Sequence, residues 1–339
     1  GGLDSNTIVS EASKLSNING YSLVSTNPNY DERKQIKSSE LLNKFKTNLI
    51  SSKNSKSLDL LEKIIQYGYN PLITPTALAL ALLCSKIKRD NNKVLLTGIG
   101  GDELFCGYYV NYLSHILSFE NRKEYFEKYS FWKTAIKKYI RNENLKNFKI
   151  AKKLKNKYRL NFFIEGNSVI KNYFKNYKEI KIKKLHKDVF YNNMLQNIFL
   201  QSIPSQVCQS DYVCMYFSIE NRSPFLSHDL FEYIFKTDKN FFMYKGIPKA
   251  ILRNSMKNNF PKEIFNNFEK TGFYSPFNSF FGTKDIKKIR KYLLNSKCLR
   301  NNLKMNSLKK LLSGSQMLHQ ESKFIFGCLN IAILEKAIK

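Results

Sequence analysis

No apolar run in this chain approaches the roughly 20 residues that a membrane-spanning helix needs, so no such helix is expected. The opening residues carry no signal peptide, although a chain that starts at Gly1 does not display an original N-terminus. None of the six cysteines (Cys84, Cys106, Cys208, Cys214, Cys298 and Cys328) forms a C-x-x-C pair, and the four histidines are scattered. That removes the spacing of a zinc site. A chain of 339 residues does not need disulfide staples, and buried free thiols in a reducing cytoplasm are expected. Acidic residues are scarce: 27 Asp and Glu stand against 56 Lys and Arg, a net charge of +29. Arginine is scarce too, nine of the 56, and arginine is the residue favoured for bidentate phosphate recognition. We therefore read the charge as compositional bias with a general affinity for polyanions, not as a specific nucleic-acid site. There is no Walker-type G-x-x-x-x-G-K-[ST], no internal repeat and no low-complexity linker.

What is present is globular in character. Hydrophobic residues make up 42% and aromatics 14%, enough for one large or two smaller domains. The first third alternates helix and strand signals. Asn6 to Lys14 is helix-compatible; Tyr21–Ser25 reads as a strand, closed by the turn formers Thr26-Asn27-Pro28-Asn29. Asp31 to Phe45 suits a helix and Asn48–Ile50 a strand. Leu58 to Tyr67 is a helix, with apolar residues at 60, 61, 64 and 65. Thr74-Pro75 opens another, running to about Lys88, because proline is accepted in a first turn. Lys93–Thr97 is a buried strand leading into Gly98-Ile99-Gly100-Gly101-Asp102-Glu103 and a further helix. This alternation predicts an α/β fold: a parallel twisted sheet with helices on both faces. From about Ser118 the strand signals fade and the remainder reads as mainly helical. We expect a nucleotide-binding core over residues 1–115 and a mainly helical part over 116–339. Lys133 to Arg159 holds eleven Lys or Arg against one acid, Glu143, and reads as a solvated helix face, with a basic membrane-surface or polyanion-binding helix pair as the alternative.

Two glycine-rich loops carry the chemistry. Gly1-Gly2-Leu3-Asp4-Ser5 suits phosphate, because glycine lets backbone N–H groups approach anion oxygens and a helix N-terminus follows. The strand that normally precedes such a loop is absent. Thr97–Tyr108 adds four glycines around Asp102, a carboxylate that could hold Mg²⁺ against phosphate oxygens as Asp4 could. Together the loops resemble the synthetase domain of the asparagine synthetase family, whose signatures are Ser-Gly-Gly-Leu-Asp-Ser and Ser-Gly-x-Gly-Gly-Asp-Glu-Leu-Phe-Gly-Gly-Tyr. Ile219-Glu220-Asn221-Arg222-Ser223-Pro224-Phe225-Leu226 is similar to its Val-Glu-Ala-Arg-Val-Pro-Phe-Leu segment. Lys249-Ala250-Ile251-Leu252-Arg253, Phe260-Pro261 and Lys270-Thr271-Gly272-Phe273 resemble its closing segments. The likeness spans residues 1 to about 280.

The resemblance implies an adenine nucleotide alpha hydrolase-like fold of the pyrophosphate-loop type. It also implies a two-step ligase reaction. ATP activates a carboxylate as an acyl-adenylate with release of pyrophosphate; ammonia then forms the amide and AMP leaves. Mapped onto this chain, Gly1, Gly2, Asp4 and Ser5 would hold the pyrophosphate, with Mg²⁺ on Asp4 and Asp102. Leu3, Leu23, Thr97 and Gly98 would line the adenosine site. Lys270 would stabilise charge on the phosphate and the tetrahedral intermediate. Glu220 would serve the reaction as a second-site residue, and Arg222, Gly101 and Glu103 would meet the substrate; a plain Glu220–Arg222 ion pair is the alternative.

The pattern breaks at four places. Ile99 stands where asparagine synthetases carry an acid, Ser227 where Asp follows Pro-Phe-Leu, Phe268-Glu269 where Arg-Pro precedes the lysine, and Cys106 where glycine is usual. The amidated carboxylate is thus open: aspartate, a sugar acid or a ring-closing amide. The partners implied are that small carboxylate and ammonia from a glutaminase domain that does not fit before Gly1, so the chain reads as a piece of a longer cytoplasmic protein. A homodimer is left open. Two alternative functions stand beside the ligase: a transfer-RNA-modifying adenylation enzyme and a non-catalytic relative acting as a binding module.

Overall fold

The computed structural model describes residues 1–25, 31–52, 56–140, 143–148, 170–178, 182–268, 277, 280–313 and 319–338. The chain begins directly in helix α1 (Leu3–Leu15), with extended Gly2 ahead of it. Then follow β1 (Asn19–Val24), α2 (Arg33–Asn43), β2 (Lys46–Ser51) and α3 (Ser57–Gly68). Helix α4 (Pro75–Arg89) starts where proline dictates: Thr74 is extended, Pro75 takes the first helical position, and Lys86, Lys88 and Arg89 close the last turn. Strand β3 (Val94–Leu96) leads through the second glycine loop into the short α5 (Gly101–Leu104) and then α6 (Tyr109–Leu117) and α7 (Arg122–Phe131). Beyond these come α8 (Val189–Phe199), α9 (Ser202–Tyr216), β4 (Glu220–Arg222), α10 (Ala250–Ser255), α11 (Thr283–Asn295) and α12 (His319–Ile338).

The strands pair in parallel, as a βαβ alternation demands. β1 lies beside β2 from Asn19↔Lys46 to Val24↔Ser51. β3 lies beside β4, with Val94 opposite Glu220 and Leu96 opposite Arg222. The expected single twisted sheet with helices on both faces is not what the described residues display: they hold two separate two-stranded pairs in a mostly helical chain. The strands of the second pair are three residues long, and Val94 and Leu96 on one of its faces remain 46% and 41% exposed. β4 itself lies in the part expected to be helical, and its pairing with β3 links residues 1–115 to residues 116–339. The Tyr21 hydroxyl ties β1 to the turn before β3, donating to Asp90 at 2.9 Å and accepting from Asn92 at 2.8 Å.

Two apolar clusters form the interior. The first gathers α3, α4, the end of α9, α11 and α12 around Leu61, Ile64, Leu78, Phe280 and Phe326. The second gathers α5, α6, Trp132, α8 and α10 around Leu113, Phe190, Phe242 and Leu252. Leu95 of β3 packs on the first, whereas Leu3, Leu104 and Phe225 belong to the second. The glycine loops therefore lie where the two clusters meet. All six cysteines are free; Cys84, Cys106, Cys214 and Cys328 are buried and Cys208 and Cys298 exposed. The described start of the basic run behaves as a solvated face: Trp132, Ile136 and Ile140 are buried at a spacing of four, and Lys133 and Lys138 face water. Most of Lys133–Arg159 lies outside the described residues, as does the turn Thr26–Asn29. No described helix is long and apolar enough to cross a membrane.

Candidate active site

The site assembles from three segments far apart in the chain. Asp4 sits in the first turn of α1, where the positive end of the helix dipole favours an anion. Asp102 sits in the first turn of α5, beyond the carboxyl end of β3. Lys249 immediately precedes α10 and adopts a left-handed backbone, φ 54° and ψ 38°. Its Nζ donates to Asp4 Oδ1 at 2.5 Å and Oδ2 at 2.6 Å, and pairs with Asp102 Oδ1 at 2.7 Å. The lysine side chain is only 9% exposed. Burial by itself lowers the pKa of such an ammonium, but the carboxylates of Asp102 and Asp4 more than offset this and hold it above the ordinary lysine range.

Glycine makes this convergence sterically feasible at two positions. A Cβ on Gly101 would lie 2.6 Å from Asp4 Cγ. A Cβ on Gly107 would lie 2.0 Å from Asp102 Oδ1 and 2.1 Å from Lys249 Cε. Gly98 also faces Asp4 and Ser5 across the loops. Cys106, beside this contact, has φ 60°, the conformation that glycine adopts without cost, and its buried thiol is pushed up in pKa by desolvation.

Of the other expected residues, Gly1, Gly2, Leu3 and Ser5 lie at the start of α1. Gly2 O accepts from the Asn6 backbone at 3.2 Å and the Asn6 side chain at 2.7 Å. Thr97 joins the two short strands: its N–H donates to Arg222 O at 2.9 Å and its hydroxyl meets Ser223 at 3.0 Å. Leu23 lies on β1 and packs against the first cluster. Glu103 is 1% exposed; its Oε1 accepts from the Tyr108 hydroxyl, from Ser202 at 2.6 Å and from Gln206 at 2.9 Å. Burial first, then the charges of Glu103 and Asp102, push Tyr108 well above its ordinary pKa. Glu220 and Arg222 pair with each other at 2.9 Å, with side chains 57% and 59% exposed. Lys270 lies outside the described residues.

Sequence reasoning missed Lys249 as a site residue. Its segment was recognised, but nothing in the pattern distinguishes this lysine from other basic residues; only the fold brings it to two carboxylates. Arg253, one helical turn on, was missed as well. Its Nε donates to Pro248 O at 2.9 Å, and its two NH groups donate to the carbonyls of Ile264 (3.3 Å), Phe265 and Asn267 (2.8 Å).

Two carboxylates, each in the first turn of a helix and one of them beyond the end of β3, thus meet on a single buried lysine. The family model for asparagine synthase matches residues 1–325, and the chain belongs to that family. The family's members use ATP, and its chemistry is that of ligases that form amide bonds. No curated protein matches the chain.

Proposed function

We propose that the chain performs the synthetase half of an ATP-dependent amidation of a small carboxylate. The observation that supports this reading best is the meeting of Asp4 and Asp102, from the two glycine loops, around one cation. A carboxylate oxygen of the substrate attacks the α-phosphorus of ATP, the bond to the bridging oxygen breaks, and pyrophosphate leaves. Ammonia then attacks the acyl carbon of the adenylate; AMP departs and a proton is lost from nitrogen.

The donor set fits a magnesium ion only in part. Among the described residues no three His, Cys, Asp or Glu cluster around a common point. Mg²⁺, however, is commonly bound by one or two carboxylates together with substrate phosphates and water. Asp4 and Asp102 would hold it, and it would supply neutralisation of pyrophosphate charge. Gly1, Gly2 and Ser5 at the start of α1 are assigned to the departing pyrophosphate, and Lys249 offers a further positive charge there. Lys270 is assigned to the tetrahedral intermediate. Leu3, Leu23, Thr97 and Gly98 are assigned to the adenosine. Gly101, Glu103, Glu220 and Arg222 are assigned to the carboxylate side, Glu103 by bracing α5 against α9. Aspartate and sugar acids are the substrates to try first.

Pyrophosphate release should require Mg²⁺ and a carboxylate together, with amide formed when ammonium is supplied. The D102N variant should lower that release by about a hundredfold, the scale of removing one preorganised electrostatic group. Release that ignores the carboxylate, or is untouched by D102N, would refute the reading.

A further inference from the structure

The Lys249 ammonium occupies the point on which both loop carboxylates converge. Its Nζ is 2.5–2.7 Å from three of their oxygens, so a divalent ion bound to those oxygens would stand almost on top of it. We propose that Lys249 is a built-in counter-ion that keeps bare divalent cations out of the Asp4–Asp102 site, so that metal enters only with nucleotide phosphates. This rests on reading the pair as a metal-phosphate site.

The argument is one of charge and packing. A metal arriving alone must displace the ammonium, which is largely buried and, among the described residues, is held by the carboxylates of Asp4 and Asp102. Uncompensated buried charge is costly. A metal arriving with a polyphosphate brings anionic oxygens that take over the ammonium as it leaves the carboxylates. The movement required is small. Lysine has a flexible four-carbon stem, whereas its backbone is fixed at the head of α10, where Arg253 anchors the same helix. Gly107 leaves room for the stem, since any Cβ there would strike Cε.

Mn²⁺ serves as the probe, followed by water-proton relaxation enhancement, which separates protein-held Mn²⁺ from Mn²⁺ chelated by nucleotide in solution. The wild-type chain should show little enhancement with Mn²⁺ alone and a clear one with Mn²⁺ and ATP. K249M should bind Mn²⁺ without nucleotide at least about tenfold more tightly than wild type, and K249M/D102N should lose that gain. K249Q repeats the measurement with a polar replacement, and circular dichroism reports whether each variant is folded. Wild type binding Mn²⁺ alone as tightly as folded K249M or K249Q overturns the counter-ion. Wild type holding no Mn²⁺ even with ATP overturns the phosphate-site reading beneath it.

Discussion

Asp102, Lys249 and Gly107 show how little space the site leaves. A methyl group at Gly107 needs both Asp102 and Lys249 to move, because it would come within 2.0 and 2.1 Å of them. G107A should cost about 1–3 kcal/mol, the usual range for overpacking, and depress pyrophosphate release beyond what that instability explains. Urea unfolding and a pyrophosphate assay on the same sample check both. A second residue, His115 on α6, makes a pH prediction. Burial, with the nearby charge of Lys128, pushes its pKa down to about 3. The Lys239 carbonyl, 2.9 Å from Nε2, partly offsets this by favouring the protonated ring; the Lys239 ammonium opposes protonation and Asp188 favours it weakly. The folded chain thus binds fewer protons here than the unfolded chain below pH 6.5. Stability from this group is complete above 6.5 and falls by about 1.4 kcal/mol per unit as pH drops towards 3. Unfolding free energies at pH 7 and 5 should differ by about 2 kcal/mol more in wild type than in H115Q. An equal difference in the two would show that His115 is not held neutral.

At the scale of elements, α10 is the piece that joins the site to its support. Lys249 at its head reaches the carboxylates, and Arg253 within it gathers the carbonyls of residues 248, 264, 265 and 267. R253M leaves those carbonyls without their donor and should cost about 3 kcal/mol, the upper range for hydrogen bonds to a charged group. R253K should recover only part of this, because an ammonium cannot serve four divergent acceptors. Urea unfolding gives the cost, and faster amide exchange at residues 264–267 would locate it; unchanged exchange there would contradict the anchoring. The sequence showed some elements plainly and hid others. Thr74-Pro75 marked the start of α4, and Leu58 to Ile65 showed the face of α3, because capping and period are local. β4 was hidden: Glu-Asn-Arg has no apolar alternation, and its partner strand is reached across 126 positions, as the Thr97–Ser223 contact shows. The two loops were legible as glycine clusters with an Asp in each. Their meeting on Lys249 was not, since a left-handed lysine before a short helix has no sequence signature.

At the scale of the molecule, two apolar clusters meet where the site lies. β3 rests on one, and Leu3, Leu104 and Phe225 belong to the other. A ligand seated between the loops adds contacts to α1 and α5 at that junction and should tighten the whole chain. Binding to the folded state alone adds about 2.7 kcal/mol at a ligand concentration 100 times its dissociation constant. ATP with Mg²⁺ should therefore raise the melting temperature by several degrees, and D102N should abolish the rise, starting from a lower ligand-free melting temperature because the buried Lys249 loses one of its two carboxylates. The excess of basic residues could mimic this effect, because any polyanion binds a chain of net charge +29. Salt separates the two cases. Diffuse attraction is screened within about 8 Å at physiological ionic strength and should fade towards 0.5 M potassium chloride. A nucleotide held by Asp102 through its metal should keep most of its stabilisation there. Tripolyphosphate is the control: it carries the charge without the adenosine, and its stabilisation should be the one that salt removes. If salt removes the ATP effect just as completely, or if D102N keeps it, the stabilisation belongs to the charged surface and not to the junction.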